Sequence, residues 1–217
     1  MYQTVIFDLD GTLLDTIADL AAAGNFVCRE RGWPEYSNQA FAAMVGHGML
    51  NLVTRFSPPE AQDPETLRET LRRFEAYYAL HTCDKTRPYP GMPDLTGRLH
   101  REGVTLAVYS NKGDEFTQTL IARFFPGCFD LVQGKVEGIP VKPDPAGIHR
   151  ILGKLRADPR RTLFVGDSSV DIRTGQNAGT HTCGVSWGYR PRSSLTEAGA
   201  ETVADTATEL EECIRRG

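Results

Sequence analysis

The chain opens on Tyr2–Leu9, a short β-branched and aromatic run that stops at Gly11, the pattern of a buried strand ending in a turn. From Asp15 the period changes. Ile17, Leu20, Ala21, Gly24, Val27 and Cys28 share one helical face, with Asp15 or Thr16 placed to cap the helix and Gly32–Trp33–Pro34 to end it. A short helix is expected over Asn38–Val45, an interruption at Gly46–His47–Gly48, and a resumed helix over Met49–Phe56 closed by Ser57–Pro58–Pro59. Leu67, Leu71, Phe74 and Tyr78 recur at helical spacing and predict a helix over Pro64–Leu80. No segment between residues 15 and 85 reads as a strand.

After Arg87–Pro88–Tyr89–Pro90–Gly91 strands and helices alternate. Strands are predicted at Val104–Tyr109, Phe129–Gln133, Arg161–Val165 and Thr182–Val185, with helices at Pro93–Glu102, Glu115–Phe125, Pro145–Leu155 and Val170–Ala178. A helical turn at Ser194–Ala198, an edge strand at Val203 and a helix over Thr206–Ile214 complete the chain. Such alternation predicts an α/β fold, a Rossmann-like, mostly parallel sheet with helices on both faces. One strand precedes the helical stretch and the others follow it. Residues 15–85 are therefore expected to form an α-helical cap inserted into a core built from residues 1–14 and 86–217.

Composition narrows the function. The 217 residues are 40% hydrophobic, enough to bury a core of this size. The net charge is -4 and the basic residues are scattered, with Arg68, Arg72 and Arg73 among Glu65, Glu69 and Glu75, so no face is set up for nucleic acid. Five dispersed cysteines form no CxxC and the histidines form no ligand cluster, which argues against zinc and suits a reducing compartment. The N-terminal apolar run is too short for a signal peptide or a membrane span, so the cytoplasm is expected and no membrane partner.

Four polar clusters fall at the C-terminal ends of predicted strands, where such sheets carry their sites. Asp8 and Asp10 leave the first strand two residues apart, as a nucleophile and an acid–base group would, although Asp10–Gly11–Thr12 is also good turn chemistry. Ser110 and Asn111 can hold phosphate oxygens at a strand-to-helix junction or simply cap the next helix. Lys142, before Pro143, can bind phosphate or restrain a carboxylate, and is otherwise a surface side chain. Asp167 and Asp171, four apart around Ser168, can face one hard cation, while Asp171 alone is a favourable charge at a helix start. Four acids around one lysine call for a cation more strongly than any one of them does.

In this order and at these intervals the residues closely resemble the haloacid dehalogenase superfamily, in the branch with a helical cap after the first strand, nearest to phosphoglycolate phosphatase-like hydrolases. The motifs are Asp8–Thr12, Ser110–Asn111, Lys142–Pro143, and Gly166–Ser168 with Asp171. The resemblance implies that Asp8 attacks phosphorus and Asp10 serves as general acid, then base. It implies Mg²⁺ held by Asp8, Asp10 through its carbonyl and Asp167, with Ser168 and Asp171 supporting the loop. Ser110, Asn111 and Lys142 would hold the phosphoryl group, and Gly46, His47 and Gly48 would lie on a cap loop that reads the substrate.

The expected reaction is Mg²⁺-dependent hydrolysis of a small phosphorylated metabolite, foremost 2-phosphoglycolate, through an aspartyl-phosphate. A β-phosphoglucomutase-like phosphomutase, a phosphatase for pyrophosphate, sugar phosphates or nucleotides, and a binding-only protein are the competing readings. Monomer and weak homodimer are both compatible with the sequence.

Overall fold

Every residue of Thr4–Phe7 (β1) is buried in the computed structural model, which describes residues 1–217. The chain then turns into Leu14–Asp15 (β2) and four helices, Ile17–Arg31 (α1), Asn38–Met44 (α2), Met49–Phe56 (α3) and Pro64–His81 (α4). It returns through Arg87–Pro88 (β3), which pairs antiparallel with β2 to make a narrow neck. This ribbon was not expected from the sequence; two-residue strands carry no readable alternation. The buried Asp19 carboxylate reinforces the neck by accepting the main-chain N–H groups of Lys85 and Thr86 and the Thr86 hydroxyl, at 2.8–3.0 Å.

The helices form a lobe with its own core, in which Phe41, Phe56, Phe74 and Tyr78 are fully buried. Each such side chain contributes about 1.5–3 kcal/mol. The helix stops are local. Gly32 closes α1 in the left-handed conformation, Ser37 caps α2 through Ala40 N–H, and Asp63 caps α4 through the N–H groups of Glu65 and Thr66. Thr16, at the head of α1, makes no side-chain cap; its hydroxyl is used elsewhere.

Beyond the neck come Met92–Arg101 (α5), Thr105–Gly113 (β4), Asp114–Phe124 (α6), Leu131–Lys135 (β5), Ala146–Leu155 (α7) and Thr162–Gly166 (β6). Ser169–Ala178 (α8), His181–Val185 (β7), Arg192–Glu197 (α9), Thr202–Ala204 (β8) and Ala207–Arg216 (α10) follow. The sheet order is β5-β4-β1-β6-β7-β8, and every pairing in it is parallel. Strand periodicity sends Val5, Phe7, Val108 and Val165 to a core shared with α5, α6 and α10, and Ile6, Ala107, Tyr109 and Phe164 to one shared with α7 and α8. Helices thus cover both faces. The order reverses at β1, between β4 and β6, so the C-terminal ends of these three strands open onto one crevice.

Candidate active site

β1, β4 and β6 carry the expected clusters to that crevice. Asp8 and Asp10 follow β1, Ser110, Asn111 and Lys112 end β4, and Asp167 follows β6. Gly11 turns the chain at φ +88°, and a Cβ there or on Gly188 would run into the Asp167 carboxylate. The two glycines therefore allow the chain to close tightly around Asp167.

Lys142 enters from the segment before α7 and lies between two carboxylates, 2.7 Å from Asp8 Oδ1 and 2.6 Å from Asp171 Oδ1. Burial lowers its pKa, and Asp171 and Asp8 more than reverse this, so the net shift is upward and the ammonium stays charged. Two of its three N–H groups serve these acids, and one remains for a phosphoryl oxygen. Asp171 has no oxygen to spare, because its Oδ2 accepts from Ser168 N–H (3.1 Å) and Ser168 Oγ (2.5 Å) in a capping box at the start of α8.

The free acceptors are elsewhere. Asp8 Oδ1 is held by Lys142, and Asp167 Oδ2 accepts from Tyr189 N–H at 2.6 Å. Asp8 Oδ2 and Asp167 Oδ1 have no protein donor. Carboxylate oxygens of Asp8, Asp167 and Asp171 lie within 4.8 Å of one another. Burial, then repulsion from Asp171 and Asp10 against the pull of Lys142, pushes Asp8 up to about 7. Burial, Asp171 and Asp8 drive Asp167 well above the usual carboxylate range. Two buried oxygens without donors, on acids whose charge the protein itself disfavours, fit a hard divalent cation with oxygen ligands such as Mg²⁺.

Asp10 is arranged differently. Its Oδ1 accepts from Thr16 Oγ1 (2.6 Å) and Lys112 Nζ (2.9 Å), and its Oδ2 accepts from the same ammonium at 3.0 Å. With the carboxylate so engaged, only its main-chain carbonyl is left to meet a metal. Lys112 is buried, and its ammonium stands 4.9 Å from the centre of the Tyr78 ring on α4. Burial lowers the Lys112 pKa, and Asp10 and Tyr78 raise it further than burial depresses it.

Ser110 accepts Lys112 N–H at 3.2 Å, which leaves its hydroxyl proton free to donate. The Asn111 side chain bridges as well. Its oxygen accepts Lys142 N–H (2.8 Å), and its Nδ2 donates to Gly46 O (3.0 Å) and Lys142 O (3.3 Å), so it ties β4 to the lobe while lining the cavity.

These groups line a cavity of about 50 Å³ that the lobe closes with Leu20, Val45, Met49 and Leu52. Gly46 and Gly48 line it too. His47 does not; with φ of +124° at Gly46 and +85° at Gly48, the loop brings its main chain to the cavity and leaves the ring exposed. Partial desolvation and the Arg55 and Arg190 charges lower the His47 pKa, which keeps it neutral and further weakens it as an anion ligand. Arg55 and Arg87 also lie away from the cavity, donating to main-chain carbonyls.

Lys112, Tyr189 and Arg190 were not singled out from the sequence, and Thr16 was expected there only as a helix cap. Tyr189, on the loop after β7, accepts Thr16 N–H at 2.9 Å and so joins the Asp167 loop to the head of α1. Lys112 directly follows Ser110–Asn111, and that adjacency is the one signal that could have flagged it.

Comparison with known proteins shows the family. The profile of the haloacid dehalogenase-like hydrolase family matches residues 5–185. The chain is 31% identical over 216 residues to a phosphoglycolate phosphatase of Haemophilus influenzae, covering 96% of each. It is 31% identical over 223 residues to an N-acetylmuramic acid 6-phosphate phosphatase of Pseudomonas aeruginosa, covering 99% of this chain and 95% of the other. A crystal structure from Lactobacillus delbrueckii, provisionally assigned as a phosphoglycolate phosphatase, superposes with a TM-score of 0.92 at 35% identity, covering 98% of each chain.

Proposed function

The chain belongs to the haloacid dehalogenase-like hydrolases and is a phosphatase; from that premise we propose that it hydrolyses 2-phosphoglycolate through an aspartyl-phosphate on Asp8, with Mg²⁺ as cofactor and residues 15–85 as its cap. The observation that carries this reading is the Asp8 carboxylate. Lys142 holds one oxygen and the other is free at the cavity, with Asp10 two residues on.

In the first half-reaction Asp8 Oδ1, the oxygen beside Lys142, attacks phosphorus and the ester P–O bond breaks, while the donor-free Oδ2 stays with the cation site. Ser110 Oγ–H and the third N–H of Lys142 take the phosphoryl oxygens, and Asp10 gives its proton to the departing alkoxide. In the second, Asp10 removes a proton from water, which attacks phosphorus, and the bond to Asp8 breaks to release phosphate. Asp8, Asp167 and the Asp10 carbonyl would hold Mg²⁺, whose chemistry is to neutralise charge on the transferring group. Asp171 positions Lys142 and Ser168 rather than binding the ion. The apolar lobe wall excludes water from the intermediate.

The relatives named phosphoglycolate phosphatase favour the two-carbon acid, and the Pseudomonas relative makes the sugar acid the competing substrate. The test is phosphate release with and without Mg²⁺ from 2-phosphoglycolate, N-acetylmuramic acid 6-phosphate, pyrophosphate, hexose phosphates and a nucleoside monophosphate, with sugar-phosphate isomerisation followed in parallel. Mg²⁺-dependent preference for 2-phosphoglycolate by kcat/KM is expected. Preference for another ester, or isomerisation without release, would replace the substrate reading. Asp8→Asn should lower kcat at least about 10³-fold and abolish acid-stable phosphorylation of the protein; retained turnover would remove the covalent mechanism.

A further inference from the structure

Three cationic side chains line the cavity, and they differ in what neutralises them. Lys142 is shared by Asp8 and Asp171, and Lys112 is held on Asp10. Arg190 has no acidic partner. Its guanidinium donates only to main-chain carbonyls, from Nη1 to Ala42 O (2.6 Å) and from Nη2 to Val45 O (2.7 Å), with longer bonds to Ala43 O and Tyr189 O (3.4 Å each). Its Nε–H takes part in none of these. These carbonyls end α2 and open the Gly46–Gly48 turn, where a cation is favoured. They fix the position of the guanidinium without cancelling its charge.

The place of that charge matters. The phosphoryl group belongs beside Asp8, Ser110 and Lys142, and the ester oxygen faces Asp10, so the rest of the leaving group extends toward the lobe. There the wall is Leu20, Val45, Met49 and Leu52, and Arg190 is the charged side chain not committed to a carboxylate. A neutral leaving group would leave this half-buried cation without an ion-pair partner. A carboxylate one carbon from the ester oxygen would supply one.

We propose that Arg190 is the specificity-determining residue of this site, receiving a carboxylate on the leaving group through its free Nε–H and its unneutralised charge, while its other donors tether the lobe loop that closes over the same ligand. The proposal rests on the 2-phosphoglycolate reading above and names the residue that recognises the carboxylate of that substrate. It also assigns to Arg190 the role that the sequence suggested for His47.

The experiment compares 2-phosphoglycolate with 2-hydroxyethyl phosphate, in which a neutral hydroxymethyl group replaces the carboxylate, for wild type, Arg190→Gln and Arg190→Lys. Both esters should lose rate in Arg190→Gln, because the lobe loses tethers. The ratio of their kcat/KM values should fall about 30- to 100-fold in favour of the neutral ester, and Arg190→Lys, which keeps the charge, should restore part of it. Inhibition by inorganic phosphate, which lacks the second anion, should change little and reports that the variant site is folded. An unchanged ratio in an active Arg190→Gln enzyme would overturn the assignment and leave Arg190 as a tether only. Failure of the wild type to hydrolyse either ester would overturn the 2-phosphoglycolate reading and this proposal with it.

Discussion

Both carboxylate oxygens of Asp10 rest on the Lys112 ammonium, which has no other acidic partner within 4.0 Å. Asp10 must release a proton in one half-reaction and remove one in the other; the leaving oxygen is placed by the bound phosphoryl group, whereas water is oriented by the Asp10 carboxylate alone, which Lys112 and Thr16 hold in position. Lys112→Met should therefore harm water activation more than departure of the leaving group. We expect kcat to fall about 10²-fold, with phosphorylated enzyme accumulating in rapid-quench experiments, where the wild type shows little. A fall in kcat without accumulation would assign Lys112 to the first half-reaction instead. The pairing was not legible in the sequence because its partners are 102 residues apart, and a lysine after a strand looks like any solvated lysine. Tyr189 and Arg190 were missed for the same reason: Thr16 and Ala42, which they hold, lie 173 and 148 residues away.

At the scale of elements, α8 does two things with one residue pair. Ser168 caps the helix by accepting Asp171 N–H, and its own hydroxyl and N–H donate to Asp171 Oδ2, so that the other oxygen of Asp171 holds Lys142 over Asp8. Ser168→Ala should cost about 1 kcal/mol, a loss of about 2–4 °C in Tm, and should also lower kcat because Lys142 loses its fixed partner. Ser168→Thr, which keeps the hydroxyl, should recover both. A lower Tm with unchanged kcat would separate the cap from the site. Most elements were legible because their signals are local. The burial alternation of β1, the Gly32 stop of α1 and the spacing of Phe74 and Tyr78 depend on neighbours in sequence. The β2–β3 neck and the path of the Gly46–Gly48 loop depend on contacts made only once the lobe meets the sheet.

Across the whole molecule, the site and the surface carry acid titrations of opposite sign. Asp63, Glu102 and Asp205 are exposed and Asp158 and Glu211 half-buried, and hydrogen-bond donors hold the pKa values of all five down. Their contribution is present above their unfolded values, near about 4, and is lost only as pH falls below that. Asp8, pushed up to about 7 by burial with Asp171 and Asp10 beside it, and Asp167, raised well above the ordinary range by burial, Asp171 and Asp8, do the reverse. Without metal the native state keeps protons that the unfolded chain has released above about pH 4, so their stabilisation is lost as pH rises through 7. A divalent cation on the ionised carboxylates should offset that loss, and only where the protons have left. Mg²⁺ should therefore raise Tm at about pH 8, by several degrees at a hundredfold excess over Kd, corresponding to about 2.7 kcal/mol. It should raise Tm little at about pH 5. Asp8→Asn removes one of the opposed charges, so the metal-free variant should melt above the metal-free wild type at about pH 8 and gain less from Mg²⁺. Equal Mg²⁺ shifts at both pH values would show that the ion does not bind these carboxylates. An Asp8→Asn variant less stable than wild type at about pH 8 would show that Lys142 already neutralises Asp8, and that the cavity does not depend on a metal to hold its charge.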